Sequence, residues 1–229
     1  MFRRSILPMA KNFINLDYRL ITLDRYKDVM FHLRDMCAQT DPLNKTICEC
    51  IRKGGDEFVE YFTYKTLNDE LSLMALNSQG NIVGIVLNGV ANPEYLQDLK
   101  NCLTKIKDSH LQSILQLQLE ENMKNNIFDL CKTRKVFETR LLSVDSRNYN
   151  GRIMGKQLIR LSEIVAGNKD HKVMKADATG NFSQKIFSYC GFKCLNEVPY
   201  NNYSKKDDNS IKLRNLPHSK YQLLYKLLR

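Results

Sequence analysis

Leu141-Leu-Ser-Val-Asp145, running into Tyr149-Asn-Gly-Arg-Ile-Met-Gly155, is the stretch that decides the fold. It reads as a strand, a basic turn carrying two glycines, and the start of an amphipathic helix over 153–166 with Met154, Leu158, Leu161 and Val165 on one stripe. A helix start has unpaired backbone N–H groups and the positive end of its dipole, so a strand leading into one is a sound seat for a diphosphate. Gly151 and Gly155 allow close backbone approach, and Arg147, Arg152 and Lys156 add positive charge. An ordinary strand-to-helix turn with solvated basic side chains would look the same, because a glycine pair is a weak signal. The Gly-Lys-Ser/Thr ending of a Walker loop is missing, and no acid follows at the ribose position of a dinucleotide fold.

Working outward, Ala176-Asp-Ala-Thr-Gly-Asn-Phe-Ser-Gln-Lys-Ile-Phe-Ser-Tyr-Cys-Gly-Phe192 reads as a strand end, a polar turn and a short helix over 182–190 stopped by Gly191. Asn181 with Gln184 three residues on predicts a capping box. That spacing puts Ser183 in the first helical turn and Thr179 in the turn before it. A hydroxyl there either donates to a sulfur or an oxyanion or simply serves the helix start.

Upstream, 16–23 is strand-like, and Thr22 or Asp24 can cap a helix over 25–39 with Val29, Leu33 and Met36 on one face. A second helical stretch follows the break at Thr40-Asp-Pro-Leu-Asn44. The apolar runs 71–76 and 82–90 flank Asn77-Ser-Gln-Gly-Asn81, a hairpin signal. Residues 91–134 are mostly helical, with Leu111, Ile114, Leu115, Leu119 and Met123 on one face, and 135–145 is a strand. Gly167-Asn168 is expected to end the helix that begins near 153, before strands at 173–178, 192–198 and 211–216. The segment 221–228 suits helix or strand. Strands alternating with helices, with hairpins at one end, predict a single mixed α/β or α+β domain over 16–229, preceded by a disordered basic tail over 1–15.

Composition bounds the function. The 229 residues suit one domain, and no run of about 18 apolar residues exists to span a membrane. The net charge of +10 invites nucleic acid or a polyanionic small molecule. The basic residues are spread along the chain and match no nucleic-acid-binding motif, so nucleic acid is not the expected partner. Seven cysteines at irregular spacing, with Cys48-Glu-Cys50 wrong for a zinc knuckle, predict reduced thiols, no metal and a cytoplasmic location. His110 and His171 read as surface or strand-edge residues, and His32 as lying on the polar side of its helix. Phe58, Tyr61, Phe62 and Tyr64 read as core, or as a stacking wall for an aromatic ligand.

Leu142-Ser-Val-Asp145, Tyr149, Gly151, Gly155, Ala176–Ser183 and Gly191-Phe192 together resemble the acetyl-CoA site of the GNAT acyltransferases, and more narrowly the insect-type arylalkylamine (dopamine) N-acetyltransferases. Asp41-Pro-Leu-Asn44, Gly84-Ile-Val-Leu-Asn-Gly89, Asn126-Ile-Phe-Asp129, Pro199-Tyr200 with Tyr203, and Pro217-His218 extend the match over about 17–228.

The resemblance implies a GNAT-like fold, a splayed and mostly antiparallel sheet flanked by helices. It further implies transfer of acetyl from acetyl-CoA to a small-molecule primary amine of the dopamine, serotonin or tryptamine type, by direct attack in a ternary complex on a monomeric enzyme. The pantetheine would pair with backbone of Ser143 and Val144, and the diphosphate would sit on Asn150, Gly151, Arg152, Ile153, Met154, Gly155 and Lys156. Asp41 falls on the acid that draws the ammonium proton off through water, where the relatives usually have Glu. Thr179 and Ser183 fall on the hydroxyls near the thioester, with Pro42, Asp145 and His218 against the amine. A structural hydrogen bond from Asp145 to the turn is the alternative for that residue. Two departures stand out: Asn150 for the usual Arg or Gln, and Ile153 for a glycine. The family's tyrosine acid is replaced by Phe187. Agmatine or a polyamine is the alternative substrate class, and a non-catalytic acyl-CoA-binding protein the alternative role.

Overall fold

Ile82–Ala91 is apolar on both faces, and the sheet is built around it. The computed structural model describes residues 16–37, 57–104, 106, 109–203 and 219–228. In these, the strands are β1 (Asp17–Leu20), β2 (Leu73–Leu76), β3 (Ile82–Ala91), β4 (Val136–Val144), β5 (Val173–Ala178), β6 (Lys193–Pro199) and β7 (Lys220–Leu227). They form one open sheet in the order β1-β2-β3-β4-β5-β7-β6, antiparallel throughout except where β4 meets β5. This is an α+β domain.

Helices cover both faces. Helix α1 (Tyr26–Cys37), α2 (Glu57–Leu67), α3 (Pro93–Leu103) and α4 (Ser109–Lys124) pack on one side, where Val29, Leu33, Leu67, Leu103 and Leu119 meet Ile85 and Leu87. Short α5 (Ile127–Cys131) closes the sheet near Val136 and Val173. On the other side, α6 (Gly151–Asn168) and α7 (Asn181–Tyr189) bury Met154, Leu158, Val165, Ile186 and Phe187 against Val86, Phe137, Met174 and Ala176. A single-turn helix, α8 (Tyr200–Tyr203), follows β6. Between β2 and β3, the Asn77 side chain accepts from the N–H of Gln79 and of Asn81, and Gly80 takes the positive φ of 82° that this hairpin requires.

Several expectations need correction. Helix α6 ends at Asn168, at the expected Gly167-Asn168 pair, but the left-handed residue beyond it is Asp170 (φ 59°), a conformation Asp tolerates, and not the glycine. The N-cap of α7 is Gly180, not Asn181, and Gln184 turns back to the strand instead of closing a capping box. Met123 is exposed, while Leu117 fills the core beside Tyr200 and Tyr221. His32 is buried, and His171 is buried with its ring edge-on to Phe137. Tyr61 and Tyr64 are exposed, so they are not core. The segment 220–227 is a strand. The tail over 1–15, the break at 40–44, Cys48, Cys50 and the strand expected over 211–216 lie outside the described residues.

Candidate active site

The one parallel pair among the described residues, β4 with β5, lasts only from Phe137↔Met174 through Thr139↔Ala176. Past that point each strand keeps its outer partner. Strand β4 stays on β3 as far as Gly84↔Val144, and β5 stays on β7 as far as Ala178↔Gln222. The inner edges of Arg140–Val144 and Asp177–Ala178 therefore diverge into a wedge of unpaired backbone, able to hold an extended ligand as a strand.

A bulge starts the divergence. The register steps from Leu87↔Leu141 to Asn88↔Thr139, leaving Arg140 as the extra residue that bends β4. The Arg140 side chain is buried and donates to Thr66 Oγ1, the Val90 carbonyl and Glu138, with its guanidinium over the rings of Phe62 and Tyr95. A side chain on Gly89 would clash with that guanidinium. Glu138 also takes Lys175 Nζ at 2.5 Å, directly across the last paired turn of the strands. Burial alone would raise the Glu138 carboxyl, but Lys175 and Arg140 hold it below the usual range. Lys175 reaches Asp177 as well, at 2.6 Å, and Asp177 accepts from Asn122 and from the Tyr221 hydroxyl.

Both walls are braced from behind. His32 of α1 lies under β4, its Nε2 3.2 Å from Ser143 Oγ and its Nδ1 3.3 Å from the Ile82 carbonyl. The carbonyl can only accept, so the proton sits on Nδ1 and Ser143 donates to Nε2. Burial pushes the His32 pKa down, which keeps the ring neutral. On the β5 side, Tyr200 OH donates to the Thr179 carbonyl at 2.7 Å, and Gln184 Nε2 donates to the Ala178 and Lys220 carbonyls.

At the mouth, Asn150 caps α6 by accepting from Ile153 N–H at 3.2 Å, and Met154 N–H is taken by the Asn150 carbonyl. The N–H groups of Gly151 and Arg152 are then the helix-start donors left for an anion. Gly151 is buried under Val144 and Ser146, and Gly155 lets Ile186 of α7 approach, so the second glycine serves helix packing. Met154 is core, with its N–H already bonded to Asn150, whereas Arg152 is exposed and Ile153 is 57% exposed. Lys156 Nζ sits 3.5 Å over the ring of Tyr189. Arg147 is spent on two carboxylates, Asp35 at 2.7 Å and Asp145 at 3.0 Å, and ties α1 to the turn.

Asp145 is buried and accepts from Arg147 N, Arg147 Nε and Asn148 Nδ2, which overcome the effect of burial and hold its carboxyl below the ordinary range. Its carboxylate braces the turn, the structural alternative that the sequence offered for it. Ser183 donates to the Gly180 carbonyl at 2.9 Å, so its proton is already directed at the turn. Thr179 follows the end of β5, half-buried. Phe187 packs edge-on against Phe192 at 4.9 Å, the apolar contact of a Schellman stop at Gly191 (φ 81°). Asp41, Pro42 and His218 lie outside the described residues. Among the described residues, no three His, Cys, Asp or Glu side chains are grouped to hold a metal, and no helix is long and apolar enough to cross a membrane.

The wedge, with a basic helix start beside it, has the shape and charge to take an extended anionic ligand. No family model matches the chain. Arylalkylamine N-acetyltransferase 2 of Aedes aegypti is 35% identical, with 94% of this chain and 100% of that one covered and a TM-score of 0.82. This chain belongs to the arylalkylamine N-acetyltransferase family of GNAT acyltransferases. It is an acyl-CoA-dependent amine N-acetyltransferase. A Drosophila melanogaster polyamine N-acetyltransferase that forms N-acetylagmatine shares the fold at 17% identity, with 93% and 100% of the two chains covered and a TM-score of 0.75. The NatC complex bound to CoA and a Gag peptide shares it more distantly, at 10% identity, 94% and 100% coverage and a TM-score of 0.55.

The sequence reading missed His32, Arg140, Asp177 and Tyr221. A signal existed for two of them. Val29, His32 and Met36 are spaced three and four apart on one helical face, and Leu141-Leu142 breaks the alternation of β4 where the bulge lies.

Proposed function

We propose that the enzyme acetylates a monocationic arylalkylamine, of the dopamine, serotonin or tryptamine type, using acetyl-CoA in the wedge. The observation that carries this is the splayed β4–β5 pair in a chain 35% identical over its length to an arylalkylamine N-acetyltransferase. The pantetheine lies along the backbone of Ser143 and Val144. The diphosphate rests on the N–H groups of Gly151 and Arg152, with the Arg152 side chain and Lys156 adding charge. Asp41 removes the ammonium proton through water, and the freed nitrogen attacks the thioester carbonyl. The C–S bond then breaks, and Thr179 or Ser183 donates a hydrogen bond to the departing sulfur; Ser183 must first release Gly180. Pro42 and His218 line the amine pocket. The unpaired thiols of Cys131, Cys190 and Cys194 suit the cytoplasm, and one chain supplies both walls, as a monomer requires.

A dication such as agmatine needs a second counter-charge. The carboxylates near the wedge already have cationic partners: Glu138 has Arg140 and Lys175, Asp177 shares Lys175, Glu121 has Lys124 and Asp145 has Arg147. This favours the monoamine over the polyamine reading, whose support is the shared fold.

Thiol release from acetyl-CoA with tryptamine, dopamine, agmatine and spermidine tests the proposal. The expected result is a kcat/KM at least about tenfold higher for the aromatic amines. A preference for agmatine or spermidine contradicts it. Repeated across pH, Asp41→Ala should lose most rate near neutrality and recover where free amine is abundant; a pH-independent loss would remove the base role.

A further inference from the structure

The turn that ends the β5 wall, Ala178-Thr179-Gly180, has all three of its carbonyls taken. Gln184 Nε2 donates to Ala178 at 3.1 Å, Tyr200 OH to Thr179 at 2.7 Å, and Ser183 Oγ and Gln184 N to Gly180 at 2.9 and 3.0 Å. The Tyr200 bond falls where the sheet stops helping. The ladder to β7 ends at Ala178↔Gln222, and the ladder to β4 ended at Ala176, so Thr179 is the first residue beyond both. Tyr200 is 2% exposed, packed with Ile114, Leu117, Tyr221 and Leu223. A ring held on all sides aims its hydroxyl in one direction, and that direction is the Thr179 carbonyl.

We propose that Tyr200 is a positioning residue for acyl transfer: its hydroxyl takes over from the ladder and fixes Thr179 at the open end of the wedge. The inference rests on the acetyltransferase reading and on a role for the Thr179 side chain at the thioester. It also gives the Pro199-Tyr200 pair of the sequence a purpose. Pro199 ends β6 opposite Lys220, and the Tyr200 N–H bonds the Ser219 carbonyl, so the ring enters from a strand end pinned on β7. Since its hydroxyl is engaged with a carbonyl, Tyr200 acts by geometry and not as the proton source.

The test is a mutant cycle on the full chain with acetyl-CoA and tryptamine. Tyr200→Phe keeps the ring and removes only the donor. It is expected to lower kcat about tenfold, because small misplacement of a reacting group is costly, with the CoA Kd by calorimetry unchanged within about twofold. In a Thr179→Ala background the same change should lower kcat by less than about twofold, since the hydroxyl it positions is gone. Equal losses in both backgrounds, an unchanged kcat, or a loss that tracks CoA binding would overturn the proposal. Gln184→Met, which frees the Ala178 carbonyl, should give the same kcat-selective loss and serves if Tyr200→Phe does not fold. A folded wild type silent toward every amine would overturn the functional reading itself, whereas an active wild type indifferent to Tyr200→Phe overturns this inference alone.

Discussion

His32 joins α1 to the strand that forms one wall of the site, and its chemistry makes that joint sensitive to acid. Burial holds its pKa below the ordinary 6.5, and burial together with the Lys135 charge does the same for His171. Below that value the unfolded chain takes up protons that the folded protein resists. The contribution is therefore complete above about pH 6.5 and is lost as pH falls toward the depressed folded values. The backbone carbonyls of Ile82 and Ser143, and then the Asp145 and Asp35 charges, oppose the shift without cancelling it. Thermal melts from pH 8 to 5 should show Tm falling on the acid side, with a shallower fall in His32→Gln, where one such group is removed. Identical slopes in the two proteins would mean that His32 is as easily protonated folded as unfolded. At this scale the sequence named residues better than contacts. Ser183, Asn150 and Asp145 stand at the start of helices or in the turn, as their types suggest. Which carbonyl or N–H each engages depends on chain brought up from elsewhere, and on the choice between capping and catalysis that a hydroxyl leaves open.

Elements were legible where one local rule decided them. Gly191 stops α7 because its left-handed φ and the Phe187–Phe192 contact are both encoded within six residues. The Asn77–Asn81 hairpin is likewise local. The Gly167-Asn168 pair marked where α6 ends, but Asp170 and not the glycine supplies the left-handed residue. The bulge at Arg140 was only hinted at by the break in alternation at Leu141-Leu142, since it depends on Gly89 of the neighbouring strand leaving room for a guanidinium. That dependence is testable. In Gly89→Ala the added methyl must displace Arg140 from a place fixed by Thr66, Val90 and Glu138, and Glu138 loses part of its counter-charge in a dry site. We expect a loss of about 2–3 kcal/mol in denaturant unfolding. A loss below about 0.5 kcal/mol, the scale of an ordinary surface change, would show that the guanidinium moves aside freely.

For the whole molecule, the site is made by pairing that stops. Two strands that run together through Thr139↔Ala176 are held apart beyond it, β4 by β3 and His32, and β5 by β7, Tyr200 and Gln184. The buried Glu138–Lys175 pair lies just before the strands part. No periodicity in one strand announces where its neighbour leaves it, so the α+β class could be read from the residues while the wedge came only from the family resemblance. At the same scale α6 starts beside the wedge, with the Gly151 and Arg152 donors and the Arg152 charge at its mouth, where the diphosphate is proposed to sit. The most direct measurement is amide hydrogen exchange on the full chain with and without CoA. The account predicts added protection concentrated at Arg140–Val144 and at the start of α6, Gly151 and Arg152. Unchanged exchange in both segments, with CoA bound and protection arising elsewhere, would contradict it.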